Sequence, residues 1–152
     1  MSKIENDRYW IVPRDKPGLL VAMMHALAGN ARISFEGDLS RCIFPTDLTL
    51  THEETPSLVR NTRYPRQDFI VLPLEEQTIQ RVLDVVLPNN RFMKDIVHIQ
   101  IEKNGRVEFG SYDNFHPECV VAFHGVPVEL LIRLKKQGVI RSWTEPKDRG
   151  TL

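Results

Sequence analysis

Apolar positions recur along this chain with two periods, and the switches between them mark its elements. Tyr9-Trp10-Ile11-Val12 is aromatic and β-branched and stops at a proline, which predicts a short strand. Leu19, Leu20, Met23, Met24 and Leu27 then fall at helical spacing and lay down one apolar stripe. Asp15 ahead of the stripe is placed to cap a helix, Pro17 has its φ preset for a first turn, and Gly29-Asn30 supplies a left-handed stop. Ala31 to Phe35 reads as a second strand ending near Gly37.

Residues 38–67 break the pattern. Arg41 to Phe44 and Asp47 to Thr51 have the length of short strands, whereas the run EETPSLVRNTRYPR has two prolines, mixed charge and no sustained period. It predicts a long loop, and a long loop in a compact domain is the first place to look for a binding surface. Order returns at Asp68-Phe69-Ile70-Val71-Leu72, a strand-length apolar run. A helix follows, with Ile79, Val82, Leu83 and Val86 at i, i+3, i+4 and i+7, Glu75 and Glu76 at its positive end, and Pro88-Asn89-Asn90 as its stop.

In Ile96 to Glu102, Val97, Ile99 and Ile101 alternate with polar residues and predict a half-buried strand. A two-residue Asn104-Gly105 loop after it would set Ile101 against Glu108. A three-residue loop, Lys103 to Gly105 with Gly105 left-handed, pairs Ile101 with Val107 and Ile99 with Phe109, and keeps the apolar sets together. Glu118 to Phe123 supplies another strand. Val126-Pro127 opens a last helix with Leu130, Leu131 and Leu134 inward, Gly138 caps it, and Val139-Ile140 begins a closing segment.

The order is a βαβ unit over 8–37, an irregular insertion over 38–67, a second βαβ unit over 68–102, then hairpin, strand and helix over 103–144, with a polar tail over 145–152. It predicts one α+β domain, a two-layer sandwich of about three helices on a largely antiparallel sheet.

Composition narrows the classes. At 152 residues with 41% hydrophobic and 26% charged, the chain is long enough to bury a core without staples. Its formal net charge of zero supplies no general attraction to nucleic acid or anionic lipid. Two cysteines far apart in sequence, Cys42 and Cys119, do not make a secreted disulfide scaffold, and MSKIENDRYW lacks the apolar core of a leader. The longest apolar run, Leu19 to Ala28, is too short to span a bilayer. A cytoplasmic protein with reduced thiols is expected.

Dense polar chemistry occurs in SYDNFHPECVVAFH. His116, Glu118 and Cys119 evoke a metal or a Cys–His nucleophile, but the Pro-Cys-x-x-Cys half of a zinc-deaminase pattern is missing, and adjacent strand residues point to opposite faces. No metal, cofactor or catalytic residue is assigned. Five scattered histidines show no metal-pair spacing. Glu36 and Asp38 flank Gly37 and read as a charged turn. Arg60, Arg63 and Arg66, with Tyr64 between them, form a candidate clamp for an acidic surface; Tyr112, Asp113 and His116 form a second candidate binding group on a turn.

Strand, then Asp15-Lys16-Pro17-Gly18-Leu19-Leu20 opening a helix, then Gly29 and a strand, resembles the start of an ACT domain over residues 9–36. With the second βαβ the resemblance reaches about residue 102 in element order, giving a ferredoxin-like or ACT-like core with a hairpin-strand-helix extension. It implies that Asp15, Pro17, Gly18 and Leu19 form a corner for an amino-acid-type or other small anionic ligand, because glycine leaves the backbone open and helix-start N–H groups hold a carboxylate. The thirty-residue insertion and the extension have no counterpart in that family.

The leading expectation is a small binding protein, not an enzyme, that acts through a protein partner as an inhibitor, immunity protein or adaptor. The alternatives are an ACT-like sensor, or a hydrolase or transferase using Glu36, Asp38, Asp113 and His116. Oligomeric state is left open.

Overall fold

The computed structural model describes residues 8–145. Strands β1 (Arg8–Pro13), β2 (Ala31–Gly37), β3 (Asp68–Leu74), β4 (Ile96–Lys103), β5 (Arg106–Ser111), β6 (Val120–Phe123) and β7 (Ile140–Thr144) form one seven-stranded sheet in the order β3-β2-β4-β5-β6-β1-β7. Every neighbouring pair is antiparallel. Helices α1 (Lys16–Leu27), α2 (Ile79–Val86) and α3 (Val128–Lys136) contribute their apolar stripes to a single core with one face of that sheet. The α+β sandwich and its C-terminal hairpin-strand-helix extension are therefore as expected.

Local chemistry explains the helices. Each residue of the predicted α1 stripe is buried, as are Ile79, Val82, Leu83 and Val86 of α2 and Leu130, Leu131 and Leu134 of α3. The C-terminal carbonyls of α1 are closed from across the sheet: Lys103 Nζ donates to the carbonyls of Leu27, Ala28 and Gly29 at 3.2, 3.0 and 2.6 Å. Helix α2 is led in by a 3₁₀ turn, Glu76–Thr78, where Thr78 Oγ1 accepts from the Glu75 N–H. β3 and β4 are both antiparallel to β2 between them, so β3–α2–β4 is a split βαβ unit, whereas β1 pairs with β6 and β7 and is separated from β2.

Two expectations need correcting. Residues 41–44 and 47–51 form no strand; they run as turns and irregular chain, with a single bridge from Thr51 to Val71. Their apolar side chains pack instead of pairing, as when Phe44 stacks on Phe35 with ring centroids 5.6 Å apart. The hairpin register also differs. Lys103 pairs with Arg106 across a two-residue Asn104-Gly105 turn with φ of 53° and 83°, which matches the right-handed strand twist. The extra residue moves into the ladder as a bulge between Ile101 and Glu102, so Ile101 meets Phe109 and Glu102 meets Val107. Val107 thereby leaves the helix side and packs with Leu58, Phe69 and Val71 on the opposite face.

The insertion wraps the outer edge of β3. Leu39, Cys42, Phe44 and Leu48 lie against the helix-side core, and Arg81 of α2 holds the Asp47 carboxylate through both terminal nitrogens at 2.8 and 2.9 Å. The chain crosses the edge where the Leu50 N–H donates to Val71 O and the Val71 N–H to Thr51 O. It then runs over the sheet's second face, where Leu58 is fully buried.

Candidate functional site

The second face of β2 and β4 carries a ladder of polar side chains. Register puts Arg32 opposite Glu102, Ser34 opposite Gln100 and Glu36 opposite His98. Five of the six, all but Arg32, are buried. A buried polar group is costly unless hydrogen-bonded, so the partners of this ladder decide what it does.

The insertion supplies most of them. The N–H groups of Asn61 and Thr62 donate to the two oxygens of Glu36 at 2.8 and 3.1 Å. Gln100 Nε2 donates to the Val59 carbonyl at 2.7 Å, and Ser57 Oγ bonds Glu102, which also accepts from Arg32 at 2.7 Å. His98 Nδ1 accepts from the Asp113 N–H at 3.1 Å, which leaves the ring proton on Nε2, 2.7 Å from Thr62 Oγ1. Burial holds the His98 imidazole below its usual range although the Glu36 and Asp113 carboxylates pull it up, so the ring is neutral. Residues 57–62 are thus a strap fastened to the sheet by two carboxylates, an amide and a neutral imidazole.

Tyr112 closes the far side. Its ring lies on Gly110, where a Cβ would come within 2.4 Å of the phenol oxygen, so only glycine admits it. The hydroxyl donates to Gln100 Oε1 at 3.4 Å, and burial pushes its pKa up to about 12. Asp113, Asn114 and Phe115 follow with φ of 55°, 57° and 61°, three left-handed residues in succession. The buried Phe115 ring, edge-on to Phe92 at 5.2 Å, pins that turn, together with the bonds from the Asn114 N–H to Val97 O and from Lys16 Nζ to Asn114 O.

The predicted partner-binding residues divide. Arg60 is scaffold: it donates to the Gln67 carbonyl and to Glu54, stacks over Phe69 at 5.1 Å, and its side chain is only 10% exposed. Arg63 and Tyr64 project outward, and Arg66 reaches Glu53 at 3.3 Å on the surface. Asp113 and His116 are exposed on the turn, and His116 Nδ1 accepts from the Glu118 N–H at 3.1 Å. His98, bonded on one side to Thr62 and on the other to Asp113, joins the two predicted groups.

At the predicted ligand corner Asp15 serves its own helix. Its Oδ1 accepts from the Gly18 N–H at 3.0 Å and its carbonyl accepts from the Leu19 N–H at 2.9 Å, while the Leu19 side chain is in the core. A Cβ on Gly18 would lie 2.4 Å from Asp15 Oδ2, so the glycine makes room for the cap. Pro17 occupies the first turn.

Of the set Glu36, Asp38, Asp113 and His116, Asp113 and His116 share one turn, the His116 N–H donating to the Asp113 carbonyl at 3.1 Å. Glu36 is a buried strand residue under the strap, not part of a charged turn. Asp38 is exposed, and its bonds to Ser40 hold its carboxyl below the usual range. Among the described residues no group of three or more His, Cys, Asp or Glu is placed to hold a metal ion, and no helix is long and apolar enough to cross a membrane. Comparison with protein-family models, curated proteins and solved structures finds no match for this chain.

Proposed function

We propose that this chain acts by binding a protein partner through the insertion, as an inhibitor, immunity protein or adaptor does. One observation carries the reading. Of the large apolar side chains exposed among the described residues, Ile43 (88%), Leu50 (53%), Val59 (41%) and Tyr64 (92%) all belong to the insertion, with Ile132 of α3 the exception. Exposed apolar groups gathered on one segment mark an interaction surface, and a tyrosine beside arginines is the composition that dominates binding energy in such surfaces. The strap chemistry supports it: the polar ladder below is spent on holding residues 57–62 in place, which pre-organises the surface above.

The test is affinity capture from lysate of the encoding cells with the full chain and with an Arg63→Glu, Tyr64→Ala double variant. Both side chains are solvated, so the variant should melt with the parent. Recovery of a specific partner should fall at least about fivefold, a loss of roughly one kcal/mol. Undiminished recovery would remove this surface from the function.

A second reading, the ACT-like sensor, draws on the helix-start N–H groups at Asp15–Leu19. It ranks lower because Asp15 already occupies the Gly18 and Leu19 N–H groups. A thermal-shift panel of amino acids and related metabolites tests it, since a ligand at a hundredfold excess over Kd adds about 2.7 kcal/mol. The hydrolase or transferase reading ranks last, because the Glu36 oxygens already accept from the Asn61 and Thr62 N–H groups and Asp38 is bonded to Ser40.

A further inference from the structure

A cavity of about 760 Å³ opens beside the outer edge of β3, within the size range of specific ligand sites. Its apolar walls are Leu39, Cys42, Ile43, Phe44 and Ile70; its polar lining includes His52, Glu53, Arg60, Arg66 and Asp68. The backbone that floors it is unusual. In the β2–β3 ladder, Pro73 lies opposite Arg32 and has no N–H to give, so residues 73, 71 and 69 turn their peptide groups away from β2. Val71 confirms the alternation by bonding Leu50 and Thr51 outward. The N–H and C=O of Phe69 therefore point to the cavity side of β3 and meet no partner among the described residues; with Phe69 2% exposed, a segment reaches them by displacing the insertion side chains that line the cavity.

The insertion stops one step short of satisfying them. Continuing the antiparallel pairing of Thr51 with Val71 would bring Glu53 opposite Phe69. The Glu53 N–H instead turns back to Thr51 Oγ1 at 3.0 Å, and the chain leaves the edge. A buried peptide group without a partner is costly, and here it sits at the end of a started ladder with open volume beside it.

We propose that this cavity takes an extended apolar segment of a partner protein, which adds a short strand to β3 by exchanging N–H···O bonds with Phe69. The proposal rests on the partner-binding reading and gives its docking mode. A peptide is the occupant because the floor offers one donor and one acceptor at strand spacing, the complement of a single extended residue. Side chains alternate along a strand, so the residues flanking the one opposite Phe69 point to the side of Phe44 and Ile70 and should be apolar. Of the charges around the cavity, Arg66 is paired with Glu53, Arg60 with Glu54, and the Asp68 carboxylate accepts from the Leu39 N–H at 3.0 Å.

The experiment is selection of a displayed random heptapeptide library on the immobilised full chain, followed by anisotropy with a labelled synthetic copy of the enriched peptide. Enriched peptides should carry apolar residues two apart. Binding should slow exchange of the Phe69 amide, and N-methylation at one central peptide position should weaken binding, each by about tenfold or more. Ile43→Glu, on a side chain 88% exposed, should weaken the peptide by about tenfold without lowering the melting temperature, while the Arg63, Tyr64 double variant leaves it unchanged. Failure to enrich any peptide, or a peptide that leaves Phe69 exchange and Ile43→Glu affinity unaltered, overturns the slot. Partner capture lost in the Tyr64 variant with no peptide enriched would sink the slot alone; peptide binding at Phe69 with capture unaffected would sink the Tyr64 surface alone.

Discussion

Glu36→Gln tests the strap most directly. In the parent both carboxylate oxygens accept backbone N–H groups, from Asn61 at 2.8 Å and Thr62 at 3.1 Å. Hydrogen bonds to a charged acceptor are worth about 1.5–3 kcal/mol each. Glutamine keeps one acceptor, now neutral and worth about 1 kcal/mol, and sets an amide N–H₂ against the other backbone donor. The expected loss is about 2–5 kcal/mol, confined at first to residues 57–62 because Leu58 and the bonds to His98, Gln100 and Glu102 act on the same segment. Native-state hydrogen exchange reads it amide by amide: the Asn61 and Thr62 amides should exchange about 30- to 4,000-fold faster, while the central amides of β2 and β4 change far less. Glu36→Gln is the right change because it preserves shape, so repacking of the ladder does not confuse the result. If Asn61 and Thr62 exchange at the parent rate, the carboxylate is not what holds the strap, and the account of the polar ladder fails.

Other outcomes follow from the same geometry. Burial lowers the His98 pKa, so the unfolded chain takes up that proton more readily than the folded one. The His98 contribution is complete above the ordinary imidazole value of about 6.5 and is lost as pH falls through the lower folded value. Melting temperatures taken from about pH 7 to pH 5 should therefore fall more steeply for the parent than for His98→Gln, and parallel slopes would contradict the neutral buried ring. At the helix start, Asp15→Ala should cost about 1 kcal/mol in urea unfolding through loss of the cap. Gly18→Ala should be nearly neutral alone, because displacing the Asp15 carboxylate offsets the gain in helix propensity, but in the Asp15→Ala background it should stabilise by about 1 kcal/mol. Equal effects of Gly18→Ala in both backgrounds would show that Asp15 and Gly18 are not coupled.

Much of this architecture is legible in the sequence alone. The α1 stripe from Leu19 to Leu27 and the α2 set Ile79, Val82, Leu83 and Val86 are buried because a 3.6-residue period admits one apolar face. Gly29, Asn30, Gly105 and Gly138 adopt positive φ where turn chemistry asks for it. The hairpin register was harder to read. Matching apolar sets assumes that a β5 residue is buried only on the helix side, and Val107 found burial on the other face beside Leu58.

The candidate site lay further out of reach. Arg32, Ser34 and Glu36 alternate with apolar neighbours, as do His98, Gln100 and Glu102, and such alternation ordinarily means a solvated face. Nothing local distinguishes a polar face in water from one covered by a strap. The bonds that decide it join Glu36 to Thr62, Thr62 to His98 and Val59 to Gln100, separations of 26, 36 and 41 residues. Arg60 shows the same limit: its spacing with Arg63 and Arg66 describes a cationic loop, and only the fold lays it over Phe69 and leaves Tyr64 in solvent. Periodicity determined which residues could share a face, because it is a property of backbone geometry alone. Tertiary structure decided what covers each face, because that depends on where a period-free insertion returns.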